Sequence, residues 1–224
     1  MVSDLSRGHV RPVIVAEAFL LTSLLHRAAF RQSAEKLNQL PEDSVAEVAF
    51  AGRSNAGKSS ALNALTGRRK LAHVSKTPGR TRLINFFEVD HGTFLVDLPG
   101  YGYAQVPGDM RRHWARLLTG YLNQRRQICG LVVVMDIRHP MTPLDRQLLD
   151  WFAATGKPVH VLLTKADKLS RSQAAAQLRK VVAMLRKDYP GCTAQLFSSS
   201  GKLGVQEAQS VVGQWLSAAQ QNGQ

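Results

Sequence analysis

Residues 45–66 read Val45-Ala46-Glu47-Val48-Ala49-Phe50-Ala51, then Gly52-Arg53-Ser54-Asn55-Ala56-Gly57-Lys58-Ser59, then Ser60-Ala61-Leu62-Asn63-Ala64-Leu65-Thr66. The first seven are a mostly apolar run that suits a strand, and Lys58–Thr66 has helical spacing. The eight residues Gly52 to Ser59 fit G-x-x-x-x-G-K-[ST], the phosphate-binding P-loop. The glycines let backbone N–H groups converge on phosphates, and the helix N-terminus behind them adds partial positive charge. In that setting Lys58 reaches the β- and γ-phosphates, and the Ser59 hydroxyl is a Mg²⁺ ligand.

On either side of this stretch, strands and helices alternate. Upstream, Leu21, Leu24, Leu25, Ala28 and Ala29 give residues 16–30 an amphipathic helical pattern, followed by a polar, Pro-containing stretch near 38–44. Downstream, Leu83–Val89 and Thr93–Val96 read as two strands, and the turn Asp90-His91-Gly92 between them suits a hairpin. Met110, Trp114, Leu117, Leu118, Tyr121 and Leu122 mark one face of a helix. Leu131–Met135 is a continuous apolar run, as in a strand covered on both faces. A helix near 143–154, strand Val159–Leu163, a helix near 171–187, strand Ala194–Phe197 and a helix near 205–218 complete the order. In the last helix Ala208, Val211, Val212, Trp215 and Leu216 form the buried face. The pattern predicts a three-layer α/β domain, its mostly parallel six-stranded sheet carrying one antiparallel edge strand and helices on both faces.

Two further motifs fall at predicted strand ends. Asp97-Leu98-Pro99-Gly100 closes the second hairpin strand. Alone it is an ordinary turn, but 38 residues after Ser59 it can bring a carboxylate near the Mg²⁺ shell and the Gly100 N–H to a γ-phosphate. Thr164-Lys165-Ala166-Asp167 follows strand Val159–Leu163. Alone it could be a helix-capping turn. As a binding element, Asp167 accepts two hydrogen bonds from guanine N1–H and its 2-amino group, a pattern adenine lacks. The Lys165 stem can cover the base plane.

Together, SKTPGRTRLINFF (75–87), VDLPGYGYA (96–104) and LTKADKL (163–169), with the P-loop, resemble the EngB (YihA/YsxC) family of bacterial ribosome-biogenesis GTPases, within the translation-factor class. The resemblance spans residues 20–218. It implies a GTP-hydrolysing switch acting in large-subunit assembly and needed for normal cell division and septation. It also implies that Ser59 and Thr81 ligate Mg²⁺, and that Gly79, Arg80, Thr81, Arg82 and Leu83 form the first switch over the phosphates. Asp97, Leu98, Pro99 and Gly100 would open the second switch, with Lys58, Thr81 and Gly100 acting on the γ-phosphate. Thr164, Lys165, Ala166 and Asp167 would select guanine, and Phe197, Ser198 and Ser199 would form the last base-contacting loop. Residues 1–44 become an N-terminal extension with one packed helix, 45–219 the GTPase domain and 220–224 a disordered tail.

Two departures stand out. Thr164 occupies a position where many GTPases have Asn, so one side-chain amide contact to the nucleotide is missing. Tyr101 follows the DLPG motif where Ras-like enzymes place a water-orienting Gln, which implies slow intrinsic hydrolysis. The ribosomal partner or K⁺ held at Asn55 would then complete the site. A P-loop ATPase or small-molecule kinase, and a non-catalytic RNA-binding module stabilised by nucleotide, are the competing readings.

Composition adds a partner. The 224 residues carry 29 Lys+Arg against 16 Asp+Glu, a net +13. Residues 1–45 are balanced, 46–128 carry +8 and 129–224 carry +5. Arg68, Arg69, Lys70, Lys76, Arg80 and Arg82 form a run without an acidic residue, and Arg112, Arg116 and Arg126 follow on the next helix. A basic surface beside the switches suits ribosomal RNA of a large-subunit precursor. Cys129 and Cys192 form no C-x-x-C pattern, so disulfides and zinc are poor readings. The polar N-terminus and the short apolar stretch Ala16–Leu25 predict neither signal peptide nor membrane span. A cytoplasmic monomer is expected.

Overall fold

The computed structural model describes residues 23–72, 83–101 and 108–222, with the backbone alone for 108–115 and 222. Seven strands form one sheet: β1 Ala29–Ala34, β2 Ala46–Gly52, β3 Ile84–Asp90, β4 Thr93–Asp97, β5 Ile128–Asp136, β6 Val159–Thr164 and β7 Thr193–Leu196. Their spatial order is β1-β3-β4-β2-β5-β6-β7. Strands β4, β2, β5, β6 and β7 pair in parallel. Strand β3 runs against both its neighbours.

Helices α1 Lys58–Leu65, α2 Gly108–Gln124, α3 Pro143–Ala153, α4 Arg171–Asp188 and α5 Val205–Asn222 cover the sheet. Side chains alternate across a strand, so adjacent residues serve opposite cores. Ala49, Ala51, Leu131, Val133 and Met135 join Leu117, Tyr121, Leu148, Phe152 and Val181 of α2, α3 and α4. Val48, Phe50, Val132 and Val134 join Ala61, Leu62, Leu65, Val212 and Leu216 of α1 and α5. Both faces of β2 and of the centre of β5 are buried, which explains their mostly apolar sequence.

The architecture is the predicted three-layer α/β class, with one strand more. The pattern over residues 16–30 predicts a helix throughout, whereas the described part is helical only over residues 23–26. The chain then extends into β1 along β3, so β3 is covered and β1 becomes the edge. The Ser33 hydroxyl donates to Asn85 Oδ1 at 2.7 Å, and Phe30 meets the Phe87 ring edge-on with centroids 6.1 Å apart. An unpaired strand edge offers hydrogen bonds that outweigh weak local helix preference. At the other terminus α5 continues to Asn222, so residues 220–222 are its last turn and not a disordered tail.

Away from the P-loop, Glu47 is fully buried at the start of β2. It accepts hydrogen bonds from Tyr121 OH at 2.6 Å, from Arg125 Nε at 2.8 Å and from Ser44 Oγ at 2.6 Å. A buried carboxylate is tolerable only when paired and hydrogen-bonded in this way. The network fixes α2 to β2, the strand that carries the P-loop. No described helix is long and apolar enough to cross a membrane.

Candidate functional site

The C-terminal ends of β2, β4, β5 and β6 lie together because these strands are parallel, and open α/β sheets place ligands at that edge. At the end of β2 the chain turns through Asn55 at φ 62° and Gly57 at φ 99°, both left-handed. Gly57 is the N-cap of α1, and its carbonyl takes the first helical bond, from Ala61 N–H at 2.9 Å. The N–H groups of the first turn therefore point back into the loop without helical partners, as anion-binding termini do.

The second motif is stitched to this loop. Ser54 N–H donates to the Tyr101 carbonyl at 2.9 Å, and Tyr101 N–H donates to the Gly52 carbonyl at 3.2 Å. Gly100 lies so close that an added Cβ would come within 3.4 Å of both Ser54 N and Cα. Lys58 and Asp97 are both buried and form an ion pair. The P-loop lysine and the strand-end carboxylate thus hold each other across the sheet edge. Leu98 is fully buried in the core and shapes this turn from beneath.

Tyr101, where a water-orienting side chain would stand, is itself 4% exposed, and its hydroxyl donates to Asp145 Oδ1 at 2.8 Å. Burial first, then the Asp145 charge, pushes its pKa well above the ordinary phenol value. Asp145 also accepts from Thr142 N–H at 2.8 Å in the capping box of α3. The tyrosine anchors the end of the Asp97–Gly100 motif to α3.

The third motif closes the opposite wall. Thr164 is buried, and its single hydroxyl lies against two carbonyls, those of Ala56 in the P-loop and Met135 in β5, the latter at 3.0 Å. This residue ties the P-loop to β6. Lys165 takes a left-handed φ of 59°, and its ammonium donates to the Asn55 carbonyl at 2.7 Å. The same ammonium is 2.9 Å from Asp136 Oδ2, whose carboxylate also receives the Arg138 guanidinium at 2.9 and 2.6 Å. The hydrogen bonds from Arg138, followed by Lys165, hold the Asp136 carboxyl well below the usual carboxylate range. Motif reading overlooks Asp136 and Arg138; the only signal is an acidic residue ending a buried strand, two positions before an arginine.

Asp167 receives the Ser198 hydroxyl on Oδ1 at 2.6 Å and the Lys168 ammonium on Oδ2 at 3.4 Å. The serine hydrogen bond is the main reason its pKa lies below normal. Ser198 is positioned in turn by Gly201 N–H at 3.0 Å, and Ala166 N–H donates to the Phe197 carbonyl at 3.1 Å. The last loop is therefore tied to the third motif, through Ser198 and the Phe197 carbonyl. Phe197 is fully buried among apolar side chains and supports the loop from below. Ala166 is buried too, while Ser199 is half-buried beside the loop. Gly79, Arg80, Thr81 and Arg82 lie outside the described residues, and Leu83 directly precedes β3.

A family model described as a 50S ribosome-binding GTPase matches residues 47–165. A "Probable GTP-binding protein EngB" of Methylobacillus flagellatus is 57% identical over 195 residues, covering 87% of this chain and 94% of that protein. Its counterpart in Azoarcus sp. is 56% identical over 202 residues, covering 90% and 97%. The chain belongs to the EngB family of GTP-binding proteins. Its domain is a GTPase domain, which sets aside the ATPase, kinase and non-catalytic readings. A crystal structure of a probable GTP-binding protein EngB shares the fold at a TM-score of 0.61 and 20% identity, covering 77% of this chain and all of that one. Era in complex with MgGDPNP and nucleotides 1506–1542 of 16S ribosomal RNA gives the same score at 20% identity, covering 78% and 58%. Both show the same layered sheet and helices. Within that EngB framework, the three motifs converge on one edge of the sheet.

Proposed function

We propose that this EngB protein is a Mg²⁺-dependent GTP switch whose nucleotide state governs docking on large ribosomal subunit precursors. The observation that carries the reading is the lacing of the P-loop to the Asp97–Tyr101 segment. Phosphate binding requires Lys58 to turn from Asp97, and that exchange acts directly on the start of the second switch. The donors suit Mg²⁺: the Ser59 hydroxyl and the Asp97 carboxylate are hard oxygens. Ser59 would hold the ion, with Thr81 from outside the described residues, and the ion would neutralise charge on the β- and γ-phosphates.

The chain's own groups divide the remaining work. Amides at the start of α1 receive phosphate oxygens. Asp167, kept ionised and oriented by Ser198, accepts from guanine N1–H and the 2-amino group, while the Lys165 stem lies against the base. With the Tyr101 hydroxyl committed to Asp145, no side chain directly after the motif orients water, so intrinsic hydrolysis is slow. The ribosomal particle, or K⁺ at the exposed Asn55, supplies what is missing. The protein acts as a cytoplasmic monomer, and its role in division and septation follows from subunit assembly.

Support for the ribosomal part comes from the description of the matching family model and from the net +13. Co-sedimentation of the full chain with large-subunit precursors tests it. Binding is expected to be stronger with a non-hydrolysable GTP analogue than with GDP, and to fall steeply as salt rises. Equal binding in both nucleotide states would refute the switch, and no binding in either would refute the partner.

A further inference from the structure

The basic run does not all lie beside the nucleotide. Arg68, Arg69 and Lys70 follow the C-terminal end of α1, separated from the P-loop by six helical residues, Ser60 to Leu65, about 9 Å of helix. There they form one wall of a groove of about 720 Å³, whose other lining includes His26, Ala28 and the first two residues of β1, Ala29 and Phe30. The walls are joined: Arg68 Nε donates to the His26 carbonyl at 3.3 Å.

Two properties mark this groove. The first is charge. No acidic residue lines it, and none of Arg68, Arg69 and Lys70 has a carboxylate partner among the described residues. The neighbouring cations differ, since Arg27 pairs with Asp90, and Arg31 pairs with Asp43 and lies 4.0 Å from Glu88. The second is Phe30. At 59% it is the most exposed of the large apolar side chains among the described residues. A register shift between Phe30 and Gln32 interrupts the β1–β3 ladder, and such bulges re-aim side chains. The edge-on contact with Phe87, at 64° between planes, props the ring in place. An aromatic face held beside unpaired cations is the arrangement by which proteins bind unpaired nucleotides. A duplex would offer the cations phosphates but would keep its bases from the ring.

We propose that this groove binds single-stranded RNA, with an unpaired base stacked on Phe30 and flanking phosphates on Arg68, Arg69 and Lys70. The inference rests on the ribosomal reading above and adds a second contact, away from the switches. Its contribution is accordingly the same in the GDP and GTP states.

Fluorescence anisotropy of a labelled 12-nucleotide oligouridylate with the full GDP-loaded chain tests this, against a 12-base-pair RNA duplex and inorganic polyphosphate as competitors. The oligouridylate is expected to bind more tightly than either competitor at equal phosphate. Phe30→Ala is expected to weaken it about tenfold and Phe30→Trp to restore it. Arg69→Gln with Lys70→Gln should lower the salt slope by about 1.4. Unchanged GDP affinity in each variant shows that the fold is intact. If Phe30→Ala binds like the parent, or polyphosphate competes as well as oligouridylate, the groove is only a polyanion patch and the inference is wrong. Should the parent co-sediment with ribosomal precursors in that case, the ribosomal reading stands without the groove. Failure of co-sedimentation alone would overturn that reading and leave the oligonucleotide result to judge the groove.

Discussion

Thr164 holds two elements of the candidate site together. From sequence it is a missing amide contact to the nucleotide. In the structure its hydroxyl is committed to the P-loop at Ala56 and to β5 at Met135, so the residue braces the P-loop. Replacing it with Val keeps the shape but leaves the Ala56 carbonyl without its side-chain partner, a loss of about 1–3 kcal/mol. Thr164→Val should raise the dissociation constant for a fluorescent GDP about tenfold, whereas Thr164→Ser should bind like the parent. Equal affinity of the Val variant would show that the tie is dispensable. Lys58, Asp97 and Asp167 were legible from spacing as members of three motifs, and the fold brings those motifs together at one end of the sheet. Asp136, Asp145 and Ser198 hold motif-bearing segments from elsewhere in the chain, at Lys165, Tyr101 and Asp167 respectively, and only Ser198 fell within a motif. Nothing local in sequence distinguishes such supports from ordinary polar residues.

At the scale of elements, β6 and β7 carry the third motif and the last loop, and His160 joins them. Its ring nitrogens lie 2.7 Å from Thr193 Oγ1 and 2.8 Å from Gln195 Oε1 across the strand pair. Burial lowers its pKa. A depressed histidine pKa means that the unfolded chain takes up the proton first as pH falls. The contribution to stability is therefore complete above about pH 6.5 and is lost progressively below it. Asp136 and Asp167, whose pKa values are also lowered, act in the same direction but only below about pH 4. Between pH 7 and 5 the melting temperature should fall more for the parent than for His160→Gln. Parallel curves would mean that His160 does not couple folding to pH. The central parallel strands were legible as elements because both their faces are buried and their sequence is mostly apolar. Strand β1 was not: Ala29 to Ala34 is weakly apolar and takes its conformation from β3, a partner at least 50 residues away.

For the whole molecule, the sheet separates two ends with different tasks. One end gathers the nucleotide motifs; the other is braced by Glu47, Tyr121 and Arg125. Of the basic run that sequence assigns to one switch-side surface, Arg68–Lys70 line a groove beyond the end of α1, and Lys76, Arg80 and Arg82 lie outside the described residues. If the groove binds RNA as proposed, nucleotide state and RNA contact should be separable by mutation. The proposed switch selects guanine at one edge of this sheet through Asp167, and a change of base specificity tests that selection. An aspartate offers two acceptors to guanine, whereas an asparagine offers one acceptor and one donor and so matches xanthine, which has a carbonyl at position 2. In competition against a fluorescent guanine nucleotide, the parent should bind GTP and reject ATP. Asp167→Asn should lose GTP affinity by about 10⁴-fold and gain XTP. An Asp167→Asn variant that binds GTP as the parent does, or a parent that binds ATP equally well, would contradict the account.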